Sequence, residues 1–350
     1  MTSVSIMGGS GYVGGELLRL LFAHPECELQ IVTSRKYAGE PLYRTHPNLR
    51  GITSLRFQKE DLESVAAKSE IVFTALPHGK SLEVVPKLLD YGVKVIDLAA
   101  DFRLKDAANY KEYYALEHTR ADLLESSVYG LPELHRAQIK DANLVSVPGC
   151  MATAAILSLT PAIRNGWVDT ERIIIDAKIG SSGAGVNPTI ASHHSERAGG
   201  VRPYMVAGHR HTAEVDQELS SIANKTVHVG FTPHAVNMIR GILSTAHTFM
   251  LQTLEPRSVF KGFRAEYENE PFVRLISDKK GLYGLPNPKL TLGTNYCDIG
   301  FEIDPHSRRL IIFSAIDNLT KGAAGEAVQC FNIMTNHDEK TGLNMLGIHP

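Results

Sequence analysis

The sequence predicts an α/β chain of two domains, and three observations carry that reading. The first half alternates β-branched-rich runs with amphipathic runs of helical period. A glycine cluster joins the first strand-like run to the first helix-like run. The second half strings longer β-like runs together without regular helices between them, the pattern of a mostly antiparallel sheet in an α+β domain. A chain of 350 residues is too long for one ordinary core and suits two.

The elements follow in order. "VSIM" (4–7) reads as a short strand and "GGELLRLLFAH" (14–24) as a helix with Leu17, Leu18, Leu20 and Leu21 on its apolar face. "LQIVTS" (29–34), "EIVFTAL" (70–76), "VKVIDLA" (93–99) and "NLVSV" (143–147) are compact strand-like runs. "KSLEVVPKLLDYG" (80–92) is a helix interrupted or kinked near Pro86. Strands alternating with helices imply a parallel sheet covered on both faces. Beyond them, "RIIIDAKIG" (172–180), "VHVGFTPH" (227–234), "GILSTAHTFML" (241–251), "CDIGFEID" (297–304) and "RLIIFSAI" (309–316) are the longer runs. "NP" (287–288) and "DPHS" (304–307) supply turns, and "AAGEAVQCFNIMT" (323–335) is the last helix. The expected domains are 1–149, 150–317, and a C-terminal helix and tail, 318–350, that returns to the first.

"GGSGYVGG" follows the first strand and opens the first helix, with Gly8, Gly11 and Gly14 at GxxGxxG spacing. Glycines permit a tight turn and close approach of backbone to a pyrophosphate, which then rests on helix N–H groups. The placement between strand and helix points to a Rossmann-type dinucleotide-binding domain, with Gly8, Ser10, Gly11, Tyr12, Val13 and Gly14 as its candidate contacts. At the end of the second strand, where an NAD enzyme carries Asp or Glu for the ribose, stand Ser34, Arg35 and Lys36. Hydroxyl and positive charge suit a 2′-phosphate, so NADP(H) is expected; a basic surface loop is the plainer alternative.

A formal net charge of −2 argues against a general nucleic-acid binder or a polybasic membrane surface. No run approaches a membrane span, and the N-terminus lacks a signal-peptide pattern. The four cysteines, Cys27, Cys150, Cys297 and Cys330, are far apart and show no zinc-knuckle spacing. A cytoplasmic chain with reduced thiols is expected.

"LVSVPGCMATAAIL" (144–157) places Cys150 where a strand gives way to a helix. A helix N-terminus stabilises a thiolate, yet buried cysteine is common. Position alone leaves nucleophile and core residue equally open. A nucleophile needs a base. "AGHRHTAEV" (207–215) offers His209 and His211 with Glu214 behind them, and His193 and His194 are a rival pair. No third ligand completes a metal site. Ser181 and Gly183 in "GSSGAG" (180–185) could approach the nicotinamide or form an ordinary loop. Asn318 in "AIDNLTKG" could contact the cofactor amide or cap the last helix.

"GGSGYVGGELLRLL", "ALPHG", "DLAADFRL", "YGLPEL", "SVPGC", "GHRHTAE", "RGIL" and "AIDNLTKG" run in order over nearly the whole chain. Together they resemble the N-acetyl-γ-glutamyl-phosphate reductase family. That resemblance implies the two-domain plan of the semialdehyde dehydrogenases and of glyceraldehyde-3-phosphate dehydrogenase. It implies Cys150 as nucleophile, His209 as acid/base with Glu214 orienting it, and Arg103 of "ADFR" as a ligand of the substrate phosphate. It also implies a dimer or tetramer. "ASHHSERAGGVRPYMVAGHRHTAEV", "DKKGLYGLPNP" and "GTNYCDIGFE" are similar to the lysine-biosynthesis branch, archaeal members of which handle aminoadipyl and glutamyl forms. There a small acidic carrier protein blocks the α-amino group, and Arg197, Arg202, Lys279 and Lys280 would face it; solvated loops are the bland alternative. The rival substrate is the N-acetylated acyl phosphate, and the rival class is a non-catalytic NADP-sensing protein.

Overall fold

The computed structural model describes residues 1–278 and 280–349. Its elements run β1 (Thr2–Met7), α1 (Tyr12–Phe22), β2 (Cys27–Val32), α2 (Leu42–Thr45), α3 (Leu62–Ala67), β3 (Ile71–Thr74), α4 (Ser81–Asp90), β4 (Lys94–Asp97), α5 (Ala107–Tyr114), α6 (Ala121–Ser126), β5 (Val128–Tyr129), α7 (Pro132–Asp141) and β6 (Leu144–Ser146). They continue with α8 (Cys150–Arg164), β7 (Val168–Ile179), α9 (His194–Arg197), β8 (Arg202–Pro203), α10 (Arg210–Ala223), β9 (Val229–Ala235), β10 (Ile242–Met250), α11 (Pro256–Tyr267), β11 (Val273–Leu275), β12 (Cys297–Asp304), β13 (Arg309–Ile316) and α12 (Gly325–Met334). The chain divides into two compact units, Met1–Pro148 with Ala323–Asn344, and Gly149–Gly322 with Met345–Pro350. The last helix groups with the first unit; the tail from Met345, expected there too, groups with the second.

In the first unit six parallel strands form one sheet in the order β2-β1-β3-β4-β6-β5. Every residue of β3 is buried, as expected of a parallel strand covered on both faces. α1 buries Leu17, Leu18, Leu20 and Leu21. α4 runs through Pro86 as one helix, burying Leu82, Val84, Val85 and Leu88; packing of that face offsets the one backbone bond that proline removes. The strand order reverses at β1, where β2 lies on one side and β3 on the other. In open α/β sheets ligands bind at the carboxyl ends of the strands flanking such a point.

The second unit holds a seven-stranded mixed sheet, β11-β12-β13-β10-β7-β9-β8. Four neighbouring pairs are antiparallel; β7–β9 and β11–β12 are parallel. A parallel pair needs a crossover, and α10 lies in the β7-to-β9 connection. Here the structure corrects the expected absence of regular helices between the strands: α10 and α11 are both present, and α8 stands where the "PGC" turn places a helix start. α10 escapes pattern reading because its buried face includes Glu214 and Glu218 beside Ala213, Val215 and Leu219. α11 buries only Val259, Phe263 and Tyr267, one residue per turn. α8 is buried from Met151 to Ile163, so it is the central helix of this unit. Ser314 Oγ donates to the Ala154 carbonyl at 2.7 Å and locks β13 onto α8.

Candidate active site

The glycine turn of the first unit leaves room where a ligand would need it. Gly8 has φ +81°, and a β-carbon on it would lie 2.5 Å from the Ala75 carbonyl oxygen at the end of β3. A β-carbon on Gly14 would lie 2.6 Å from Gly9 backbone. At Gly11, the N-cap of α1, a β-carbon would meet nothing within 4 Å. The space beside the N-cap of α1 is therefore open at the switch point, and a helix start with such space is a setting that accepts a pyrophosphate. Tyr12 is exposed on that turn. Ser34 is buried and its hydroxyl donates to Ser10 Oγ at 3.0 Å, so it braces the turn. Arg35 and Lys36 are exposed at the end of β2. The residues present fit a dinucleotide.

Arg103, expected as a phosphate ligand, is buried. Its guanidinium donates to the Val147 carbonyl at 2.7 Å and to the Leu98 carbonyl at 3.0 Å. These bonds make it a brace for the chain that leads to Cys150.

Cys150 is the first residue of α8, with Gly149 as N-cap. It is partly exposed, whereas Cys27, Cys297 and Cys330 are buried. Burial pushes the Cys27 thiol up to about 12, so that sulfur stays protonated and inert. Two glycines frame Cys150. A β-carbon on Gly149 would lie 2.3 Å from His211 Nε2 and 2.8 Å from Glu214 Oε1. A β-carbon on Gly322 would lie 2.6 Å from Cys150 Cβ. Gly322 belongs to the π-helical turn Thr320–Ala324, whose wide ring carries the chain against the cysteine. The Gly149 N–H donates to Glu214 Oε2 at 2.8 Å, which fixes the turn before the thiol.

The backbone of Gly149, φ −70° and ψ 137°, suits any residue. Glycine stands there for space alone. Gly149→Ala should therefore displace His211 and lower kcat by about tenfold or more, the effect of roughly an ångström of misplacement. Steady-state kinetics on variant shown folded by circular dichroism checks this; a wild-type kcat would contradict it.

His209 is the N-cap of α10, and its Nδ1 accepts the His211 backbone N–H at 3.2 Å. Its ring stacks on Phe231 at 5.5 Å and meets Tyr204 edge-on at 5.9 Å. Burial, with Arg210 adding to it, lowers its pKa to about 4. An imidazole whose Nδ1 accepts a hydrogen bond carries its proton on Nε2. The His211 ring lies 4.8 Å from it, nearly perpendicular. Tyr204 is pushed up to about 12, first by burial and then by the nearby Cys150. Cys150, Tyr204, His209, His211 and Glu214 are thus one cluster within one unit. Tyr204 carries no signal of its own in the sequence; Gly149 and Gly322 stand in the "SVPGC" and "AIDNLTKG" motifs with no spacing role legible, and His211 has the "HRH" spacing.

The remaining expectations separate. His193 and His194 are exposed, at the N-cap and first position of the short helix α9. Asn318 does not cap α12, whose N-cap is Ala324. Its Oδ1 accepts the Gly241 N–H at 2.7 Å and its Nδ2 donates to Ser182 Oγ at 3.0 Å. Asn318 therefore pins the Ser181–Ala184 turn, which holds Ser181 and Gly183. Arg197 donates to the Val236 and Ile179 carbonyls, whereas Arg202 and Lys280 are exposed. Lys279 lies outside the described residues.

Comparison with known proteins gives this cluster a setting. The semialdehyde dehydrogenase NAD-binding domain model matches residues 3–142, and the semialdehyde dehydrogenase dimerisation domain model matches residues 150–318. A Saccharolobus solfataricus protein named LysW-L-2-aminoadipate/LysW-L-glutamate phosphate reductase is 48% identical over 99% of this chain and 98% of its own. A Nitrosopumilus maritimus protein bearing that name provisionally is 52% identical over 99% of each. Among solved structures, aspartate semialdehyde dehydrogenase II of Vibrio cholerae aligns with TM-score 0.70 at 19% identity, covering 96% of this chain and 98% of that one. With its N-terminal domain built to take a nicotinamide dinucleotide, the chain belongs to the semialdehyde dehydrogenase family.

Proposed function

We propose that this enzyme reduces an acyl phosphate, carried on the amino-blocking LysW-type protein, to the semialdehyde through a thioester on Cys150. The observation that carries the reading is the Gly149–Cys150 turn, with His211 and Glu214 packed on one side and Gly322 on the other. The names of relatives at about half identity over full length support the substrate class, covering both aminoadipyl and glutamyl forms.

The N-terminus of α8 stabilises the Cys150 thiolate. His211 takes the thiol proton and the thiolate attacks the acyl carbon. The bond to the phosphate oxygen breaks as His211 passes its proton to that oxygen, inorganic phosphate leaves, and a thioester remains. A bound reduced nicotinamide supplies the hydride. The carbon–sulfur bond then breaks, the aldehyde leaves, and the thiolate returns. His209, held neutral with its proton on Nε2, serves as a hydrogen-bond donor and as the anchor of the turn that carries His211. Glu214 sets the Gly149 turn. Backbone N–H groups opening α8 are the donors for the oxyanion.

NADP(H) is the cofactor we assign. Ser10 and Gly8–Gly14 backbone would hold the pyrophosphate, and Arg35 and Lys36 the 2′-phosphate. Arg35→Asp should shift the NADPH-to-NADH preference toward NADH by at least about tenfold, the scale of one charge-assisted contact. An unchanged ratio of kcat/KM values would reject the assignment. Self-association is supported by the open face of the second sheet, where Leu243, Phe249, Ile311, Phe313 and Ile174 alternate with buried neighbours. Arg202 and Lys280 offer positive charge to an acidic carrier.

A further inference from the structure

His46, which no part of the proposed chemistry uses, is a buried histidine pressed against the glycine turn. Its Nε2 bonds to the Gly9 carbonyl oxygen at 2.8 Å. A carbonyl accepts only, so Nε2 carries the proton. The same ring fills the space beside Gly15: a β-carbon there would lie 2.5 Å from Nδ1 and 2.6 Å from Cε1. On its far side the ring meets the edge of Phe57 at 6.2 Å. Phe57 in turn lies 3.6 Å from the point where a β-carbon on Gly9 would sit.

The two peptide units that flank the Gly9 α-carbon are therefore each held. The Gly9 N–H donates to the Thr33 carbonyl at 2.9 Å, and the Gly9 carbonyl accepts from His46. That bond turns the carbonyl dipole into the protein. A carbonyl turned outward would set negative charge toward a phosphate, and a free peptide would have to be ordered at binding. His46 reaches the turn from just after α2, outside the strand–turn–helix motif that makes the phosphate contacts.

We propose that His46 is a positioning residue for the dinucleotide: it locks the Gly9–Ser10 peptide so that the Ser10 N–H and those that follow face the pyrophosphate. The inference rests on the dinucleotide reading of the turn, not on the acyl-phosphate chemistry. Its size is that of one lost buried hydrogen bond, about tenfold in affinity.

The test is calorimetric titration of the full chain with NADPH and with NADH, using whichever the unchanged protein binds more tightly. A wrong assignment of phosphate specificity then leaves the test intact, and failure of the unchanged protein to bind either would overturn the dinucleotide reading itself. His46→Ala should raise Kd about tenfold. In turnover the KM for the cofactor should rise with it while kcat at saturation stays within about twofold. His46→Gln, which keeps an N–H donor, should recover part of the affinity. Gly15→Ala should weaken binding in the wild-type background, because its methyl displaces the imidazole, and should add little to His46→Ala. If His46→Ala does not fold, the Gln and Gly15 variants still decide. A Kd within twofold of wild type in the folded His46 variants, or Gly15→Ala effects that simply multiply with His46→Ala, would overturn the proposal.

Discussion

Cys150→Ser is expected to lower acyl-phosphate reduction by at least about a thousandfold, the scale seen when a nucleophile that acts as part of a unit is removed. The serine hydroxyl fits the same space, so Gly149, Gly322 and the start of α8 keep their packing. What is lost is an ionisable group within reach of neutral pH: a thiol near a helix N-terminus yields a thiolate, and an alcohol does not. Dinucleotide affinity should be unchanged, because the glycine turn lies in the other unit. Stopped-flow kinetics with calorimetric titration of the cofactor checks both halves. Retained turnover would remove Cys150 from the mechanism.

His211→Ala is expected to cost about 10²–10⁴-fold in kcat, the range for a positioned acid–base group. His209→Ala should cost less in turnover and show mainly as stability, about 1 kcal/mol for a lost N-cap. The reason is local. His211 Nε2 lies against the Cys150 turn, whereas His209 Nδ1 is committed to the His211 N–H. His209 has its folded-state pKa lowered to about 4, below the unperturbed value, so it is neutral above that pH and no titration of it should shape the rate near neutrality. Its neutral state also carries a sign for stability. Keeping the proton off favours the unfolded chain as pH falls, so the fold should weaken from about pH 6.5 down to about 4, and His209→Ala should flatten that slope. Kinetics and thermal melts across pH on the two alanine variants measure this. A full catalytic loss in His209→Ala with near-normal His211→Ala would return the proton-carrying role to His209.

How much of this was legible in the residues differs between the two units. Parallel strands buried on both faces leave continuous apolar runs, and glycine spacing after β1 has few other uses, so the first sheet and its dinucleotide turn are readable. In the second unit the helices hide. α10 buries Glu214 and Glu218, and a core face with two carboxylates has no clean apolar period. Strands β8 and β11, of two and three residues, are too short for any period. At the site, the "PGC" turn places Cys150 at a helix start, but position alone leaves nucleophile and core residue open, and the family resemblance supplies the role. The division of labour proposed between His209 and His211 is not legible there, because it depends on which ring nitrogen a backbone N–H occupies. Arg103 is a phosphate ligand by the "ADFR" resemblance, and Asn318 reads as a cofactor contact or a helix cap; in the fold their polar atoms bond to Val147, Leu98, Gly241 and Ser182. The clearance that Gly149 and Gly322 provide is silent in sequence, since the His211, Glu214 and Cys150 atoms they make room for lie 62 to 172 positions away in the chain.

The central claim is a covalent acyl-enzyme on one sulfur. It is tested most directly by mixing the protein, without reduced cofactor, with the carrier-linked acyl phosphate and mapping the product by peptide mass spectrometry. The account predicts one equivalent of inorganic phosphate released and a thioester adduct on Cys150, discharged as aldehyde when NADPH is added. Turnover with no adduct on Cys150, or an adduct on another residue, would contradict it.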